Sequence, residues 1–486
     1  MQPSTCGAER PTAPAWVPPP RRAVHTGFGF LVALLLWLSV PVSSAQAQGF
    51  GVFEQGACVM ARAGATVAQG CGDGSSLYFN PANIVDNDGT VISVGATSVA
   101  AFGDYTSGVT GRVSDLQNDP IFVPHAYGTY EINSELSAGL GVYVPYGLAT
   151  EWKPTFEGAF EGYDNGVQAI YIQPTVAYQI NERLSIGGGP IVAVSSVELN
   201  QRLDLSAQSI AGIPAAAIGI PFHTAFADVK LEGSNEIGYG ANIGATYDLS
   251  DRVSFAARFT TPIKVTYEGE ATFTQVNTNL QLAGPVGPLP QGTPIDQLVA
   301  PQFDPSNPGA PLVDQNIETE ITFPAQLILG LAVDATTDLT LLADYHWTGW
   351  SDLQAIPLDF EVDDLDTERK LNYGNTNAFR FGAEYSILDN LQARAGYLFN
   401  TAAAPPETVT PLLPENDRNH FTAGIGYRPT DLFEINAAYQ YLSQTDREGR
   451  IRDVRPGENV NSRTALNDGL YSFNAHLFGL TLTVYL

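Results

Sequence analysis

Six short turns of one kind constrain this chain more than any other feature. They are Ile132-Asn133-Ser134-Glu135-Leu136, Ile180-Asn181-Glu182-Arg183-Leu184, Leu249-Ser250-Asp251-Arg252-Val253, Thr336-Thr337-Asp338-Leu339, Leu388-Asp389-Asn390-Leu391 and Pro429-Thr430-Asp431-Leu432. Each lies between two runs of alternating polarity and ends on an aliphatic residue that restarts the alternation. The connections between successive hairpins are long, polar and rich in Gly, Pro and Asp. Tight turns at one rim and long loops at the other are the pattern of an all-β, antiparallel outer-membrane barrel. Six hairpins supply twelve strands, and one run on either side makes fourteen. The predicted strands are 90–103, 121–132, 135–146, 167–180, 183–199, 236–249, 252–269, 319–334, 338–349, 371–387, 391–400, 417–428, 432–443 and 469–486.

A strand that crosses hydrocarbon must bond all its backbone groups within a closed sheet, so one face meets lipid and the other the lumen. Phe255, Ala257, Phe259, Ile263, Val265 and Tyr267 fall on one face by parity, opposite Arg258, Lys264 and Glu268. Ile321, Phe323, Ala325, Leu327, Leu329, Leu331 and Val333 form a wholly apolar set. Leu339, Leu341, Ala343, Tyr345 and Trp347 alternate with Asp344 and His346. A soluble β-sandwich also alternates. Three features favour the membrane: an export signal, a final strand at the chain end, and aromatics near strand ends, among them Trp347, Trp350, Tyr373, Tyr397 and Tyr427. These aromatics are candidates for interfacial girdles.

The export signal occupies residues 1–47. Arg21 and Arg22 precede an apolar run from Phe28 to Val42, and Ala45-Gln46-Ala47 suits cleavage after Ala47. The Pro-rich stretch before Arg21 is either an extended leader or a misassigned start. The formal net charge of -28 argues against nucleic acid as a partner and leaves an outer-membrane location open.

Residues 48–89 show no strand alternation. A segment in this position either hangs in the periplasm or fills the lumen, and its small and apolar residues favour the lumen. There it acts as a plug that controls passage or as inert filler. Cys58 and Cys71 are the only cysteines after cleavage. They form a local disulfide in an oxidising compartment or remain two reduced, buried side chains. No ligand set for a metal and no phosphate-binding loop is present in the pattern, so no cofactor is expected. No nucleophile–base–acid set is found, so no enzyme is expected either.

Two long connections, near 200–235 and 270–318, carry apolar runs that include Ile213, Ile218, Ile220, Phe222 and Leu298. They offer either a hydrophobic landing surface or a short buried element packed over the barrel mouth.

Across nearly the whole mature chain, in order, the sequence resembles the FadL family of long-chain fatty-acid and toluene transporters of the bacterial outer membrane. The resemblance rests on Gly49-Phe50, Ala61-Arg62-Ala63-Gly64, Tyr78-Phe79-Asn80-Pro81-Ala82, Tyr143-Val144-Pro145-Tyr146-Gly147, Thr261-Pro262-Ile263-Lys264, Trp347-Thr348-Gly349-Trp350, Arg394-Ala395-Gly396-Tyr397 and Pro414-Glu415-Asn416-Asp417-Arg418. It implies a fourteen-stranded barrel with an N-terminal hatch and passive uptake of hydrophobic molecules. Capture is expected on extracellular loops, followed by an internal pocket and lateral exit at a kinked third strand. It assigns Asn80, Pro81 and Ala82 to the hatch near that gap, and the gap to the region of Gly139, Gly141 and Pro145, where Gly weakens a strand and Pro removes a donor. A fatty-acid carboxylate must be paired when buried. By parity Arg258, Lys264, Arg380 and Arg394 are lumen candidates, each also able to pair with lumen acids. The expected partners are outer-membrane lipid and lipopolysaccharide, a hydrophobic ligand and the barrel-assembly machinery, and the expected state is a monomer. The rival reading is a general porin or an adhesion barrel. The chain departs from the pattern at its end, where Leu486 replaces the usual aromatic residue, and in the Cys58/Cys71 pair.

Overall fold

A computed structural model describes residues 49–108, 110–210, 212–221, 223–449 and 469–486. The export signal and Phe222 lie outside the described residues. Fourteen antiparallel strands form the wall: β1 Thr90–Ser107, β2 Ile121–Asn133, β3 Leu136–Glu151, β4 Asp164–Asn181, β5 Leu184–Asp204 and β6 Ala225–Ser250. Next come β7 in two segments (Val253–Thr260 and Ile263–Gln275) and β8 in two (Gln315–Phe323 and Gln326–Asp334). β9 Leu339–Thr348, β10 Thr376–Leu388, β11 Leu391–Asn400, β12 Arg418–Thr430, β13 Phe433–Gln444 and β14 Gly469–Tyr485 complete the wall. β14 closes on β1 from Val91↔Tyr485 to Ser107↔Gly469, so the sheet has no free edge to satisfy in lipid. All six tight turns join the hairpins expected of them. The segment 225–235, expected in a loop, extends β6 and pairs with β5 up to Asp204↔Ala225.

The outward face carries exposed Ile92, Leu140, Tyr239, Phe255, Phe379, Phe421 and Leu480. This is the apolar band a bilayer requires. Trp350 and Tyr373, expected as girdle residues, instead point inward and are buried.

Gly49 to Asn87 lies inside the barrel. It contains the short helices α1 (Ala57–Ala61) and α2 (Ser76–Phe79) and a 3-10 turn at Pro81–Asp86. Segments this short cannot satisfy their own backbone groups, and lumen side chains do so instead. Asp344 accepts from the N–H groups of Thr66 and Val67 at 2.9 and 3.1 Å. Gln173 donates to the Leu77 carbonyl at 2.7 Å, and Asn242 to that of Tyr78 at 2.9 Å. Thr481 accepts from Ala57 N–H at 2.9 Å. The polar lumen face is therefore the hydrogen-bonding complement of the hatch. Wall glycines let the hatch lie close. A Cβ at Gly396 would come within 2.7 Å of Ala63 N, and one at Gly187 within 2.5 Å of Pro81. Cys58 and Cys71 are joined by a disulfide across a Cα–Cα distance of 6.2 Å.

The loops 205–224 and 276–314 pack on each other around Leu205, Ile210, Ile220, Phe226, Leu282, Val286, Ile295 and Val299. Ile220 is buried in this small core. Ile218 and Leu298 are half-buried against it, and Ile213 is exposed. The apolar run thus mainly builds a second core above the barrel mouth.

Candidate functional site

The site begins where two strands part. β2 pairs with β1 along most of its length, from Val99↔Ile121 to Thr90↔Tyr130, but with β3 only from Ala126↔Val142 to Asn133↔Leu136. Gly139 and Gly141 are fully paired with Thr129 and Tyr127. The interruption starts just beyond them. On the other side of β3 the register with β4 skips Val144 and Pro145, between Tyr143↔Tyr171 and Tyr146↔Ala169. Pro145 has no N–H to give and its neighbour Val144 is pushed out of register.

The hatch arm Phe50–Gln55 supplies the missing partner. Val52 N–H donates to the Pro145 carbonyl at 2.8 Å, and Gly147 N–H to the Phe50 carbonyl at 3.0 Å. The Gln55 side chain completes both Val144 backbone groups, at 2.5 and 3.1 Å. Above the opening, Gln117 N–H reaches the Glu151 carbonyl at 2.7 Å and Asn118 bridges Ala149 and Glu151. The result is a framed window in the wall with the arm across it.

Asn80, Pro81 and Ala82 sit in the hatch against β5 and β6. Asn80 is fully buried and donates to the Val67 carbonyl and Thr246 hydroxyl, both at 2.8 Å. It also accepts from Ala82 N–H at 3.1 Å. Pro81 lies on Gly187 of β5, and Asn80 on Gly244 of β6. The motif braces the hatch against β5 and β6. Against the third strand, the Tyr78 ring lies 4.8 Å from that of Tyr143, and Leu77 packs on Gly139.

Two cavities flank the arm. The outer one, about 110 Å³, is almost wholly apolar, with Leu231, Tyr267, Ile321, Leu358, Tyr373 and Leu412 in its wall. The inner one, about 430 Å³, reaches Ile121, Phe122 and Val123 on one side of the window and Val144 and Gly147 on the other. Phe50 lines both and packs on Trp350 with ring centroids 4.8 Å apart. The inner volume is that of an ordinary small-ligand pocket. The outer one fits a single ring or a stretch of alkyl chain.

None of the four expected cations lines either cavity. Arg258 is buried lower down, bonded to Asn242 at 2.9 Å and Gln326 at 2.6 Å, with its guanidinium over the Tyr78 ring. Arg394 and Arg62 share Glu384. Arg380 lies on the face of Phe53 at 4.0 Å, and none of its nitrogens has a hydrogen-bond partner among the described residues. Lys264 is a correction. Its side chain is 62 % exposed and pairs with Glu320 on the outer surface. Thr261-Pro262 adds a residue to the alternation, so Ile263, Val265 and Tyr267 turn inward and Lys264 outward. Pro324-Ala325 does the same to β8, turning Ile321 and Phe323 inward.

Parity missed the arginines that do face the cavities, Arg369 in the outer and Arg418 in the inner one. Arg369 donates to the Glu161 carbonyl at 3.0 Å and to Gln201 at 2.9 Å. Arg418 lies over Phe473 at 5.4 Å. Arg369 sits in a loop hairpin and Arg418 opens a strand, where alternation carries no information.

A closed fourteen-stranded barrel with an apolar belt, a bonded lumen hatch and apolar cavities is a plugged transport barrel of the bacterial outer membrane. The chain belongs to the outer membrane protein transport protein (OMPP1/FadL/TodX) family, whose sequence model matches residues 38–485. A putative outer membrane protein of Neisseria meningitidis serogroup B is 26% identical over 93% of this chain and 97% of its own. The long-chain fatty acid transport protein of Escherichia coli K12 is 21% identical over 92% and 96%. Among solved structures, a Pseudomonas aeruginosa FadL homologue superposes with a TM-score of 0.75 at 20% identity, covering 90% of this chain and all of the other. The Pseudomonas putida toluene transporter TodX does so with a TM-score of 0.64 at 18% identity, over 90% and 98%. Membership in a family of transport proteins makes the chain a transporter, with no reaction to catalyse.

Proposed function

We propose that the protein carries hydrophobic small molecules from the outer cavity, past Phe50, into the inner cavity and out sideways through the window between β2 and β3. The observation that carries this reading is continuity. One cavity is lined by the hatch arm and by both edges of the unpaired wall segment, including Phe122, which is 68 % exposed on the outer face. A solute leaving there enters lipid without crossing water, and each CH₂ kept from water is worth about 0.8 kcal/mol. Ile213, at the exposed edge of the loop core, is the capture residue best placed to meet solute from outside; Ile218 and Leu298 back it. Asn80, Pro81 and Ala82 hold the body of the hatch still while the arm moves. Arg369 and Arg418 are the cavity groups that would pair with the carboxylate of a long-chain acid, since a buried carboxylate needs a charged partner, and Glu54, Glu198 and Glu232 line the same cavities.

The test is photocrosslinking in outer-membrane vesicles, with benzoyl-phenylalanine in place of Phe122 or, as a control, of lipid-facing Phe379. Radiolabelled oleate should crosslink several-fold more at position 122. Equal crosslinking at the two positions would overturn lateral exit. A large steady ion current through the unmodified protein would favour an open porin instead.

A further inference from the structure

We infer that Glu415 is the latch that couples the outer cavity to the hatch arm. It rests on the window as the exit route, but its own evidence is separate. Glu415 is fully buried on the loop between β11 and β12. One carboxylate oxygen accepts from the Ala403 and Ala404 N–H groups at 2.8 and 3.0 Å. The other accepts from Gly49 N–H at 2.7 Å. A single side chain therefore ties the loop to the start of the arm, 366 residues away in sequence. A carboxylate suits this place because it offers acceptors only, and the three groups it meets are all donors.

The seat at Gly49 is exacting. Its φ is +62°, and a Cβ there would come within 2.5 Å of the Trp350 ring. Only glycine reaches Glu415 without pushing Trp350, on which Phe50 also rests. On the loop side, Leu412 and Leu413 line the outer cavity, and Leu413 and Pro414 reach the cavities directly before Glu415. Glu415 N–H bonds back to the Leu413 carbonyl at 2.8 Å, so displacement of Leu413 moves Glu415 with it. A solute that fills the outer cavity presses on the residues that hold the latch. Once Gly49 is released, the start of the arm is held by its bonds to β3, while Glu54 and Gln55 stay tied to Thr97, Tyr127 and Gln440. Glu415 is thus a positioning residue. It touches no solute and acts through the arm.

The test uses the full-length protein in lipid nanodiscs with a nitroxide on a cysteine introduced at Val52, whose side chain faces the inner cavity. In the parent the label should be immobilised without solute and become mobile on adding oleate. Glu415→Gln should show the mobile spectrum without oleate, because its amide N–H₂ meets a backbone donor. Gly49→Ala, which leaves Glu415 intact but unseats the arm, should show the same and serves if Glu415→Gln does not assemble. An immobilised spectrum in either assembled variant, matching the parent, overturns the latch. A mobile spectrum with oleate uptake equal to the parent supports the latch and overturns the window as exit.

Discussion

Pro262 and Pro324 interrupt neighbouring strands at one level of the wall. Below them Thr260 pairs with Gln326, above them Ile263 pairs with Phe323, and all four side chains point inward. Inward residues thus lie three apart on each strand, where regular alternation allows two or four. The paired interruption keeps the two strands in register with each other while exchanging their faces. Above it, the apolar residues that continuous strands would show to lipid line the outer cavity, and Lys264, Glu268 and Glu270 face outward beyond the apolar belt.

Lys264→Ala should therefore leave oleate uptake within about twofold of the parent, since an exposed ion pair contributes at most about 1 kcal/mol. Tyr267→Ala, on the opposite face of the same segment, should change uptake of long-chain substrates. Initial rates in cells lacking their own transporter would check both. A large loss in Lys264→Ala would place it in the lumen after all.

Replacing Arg369 or Arg418 by Met keeps the stem and removes the charge. A charge-assisted hydrogen bond is worth about 1.5–3 kcal/mol, so oleate uptake should fall at least roughly tenfold. Toluene uptake should stay near the parent level. Equal losses for both solutes would indicate a structural role for these arginines.

The disulfide closes a loop spanning a sequence separation of 13. Constraint of a loop of that size stabilises by about 3 kcal/mol in the chain-entropy view. The double variant Cys58→Ala/Cys71→Ala should exchange its hatch amides markedly faster, while the barrel remains resistant to unfolding in detergent. Mass-spectrometric hydrogen exchange over 49–88 would show this, and unchanged rates would count against it.

Asp417 lies two residues beyond the latch. Burial, opposed by the nearby Arg447 guanidinium and reinforced by the Glu415 carboxylate, pushes its pKa up to about 6. A raised carboxyl pKa favours the protonated form in the folded loop. The stabilisation is complete below the ordinary carboxylate range and is lost as pH rises through about 6. A nitroxide at Glu407 on the same loop should accordingly be less mobile at pH 5 than at pH 7.5. Asp417→Asn should flatten that difference, and a parent loop of equal mobility at both pH values would contradict the assignment.

Local signals were legible where the chemistry is local. The turn residues 134–135, 182–183 and 389–390 mark reversals by their own conformational preferences, and the tight-turn rim matches expectation throughout. Arg380, Arg394, Asp344 and His346 lie on unbroken strands and Arg258 lies before the break in β7, so parity counts each of them correctly as inward. It miscounts Lys264, because parity counting assumes an uninterrupted ladder and Pro262 breaks it. The apolar run 210–222 was recognisable as unusual, but its partner lies near residue 290, and composition cannot report which of two apolar loops buries the other. Arg369 and Arg418 carried no periodic signal at all.

Strand number and the tight-turn rim were thus determined by the sequence alone, because turn chemistry and period-two alternation act between residues close along the chain. Tertiary structure decided what the interior does. The faces of β7 and β8 exchange only because two prolines meet across neighbouring strands. The window exists only because β2 and β3 separate above Val142 and the arm pairs there instead. The Glu415–Gly49 contact joins residues hundreds of positions apart. Such pairings are chosen by barrel closure, where every backbone group must find a partner inside the wall, and no stretch of sequence encodes that choice by itself.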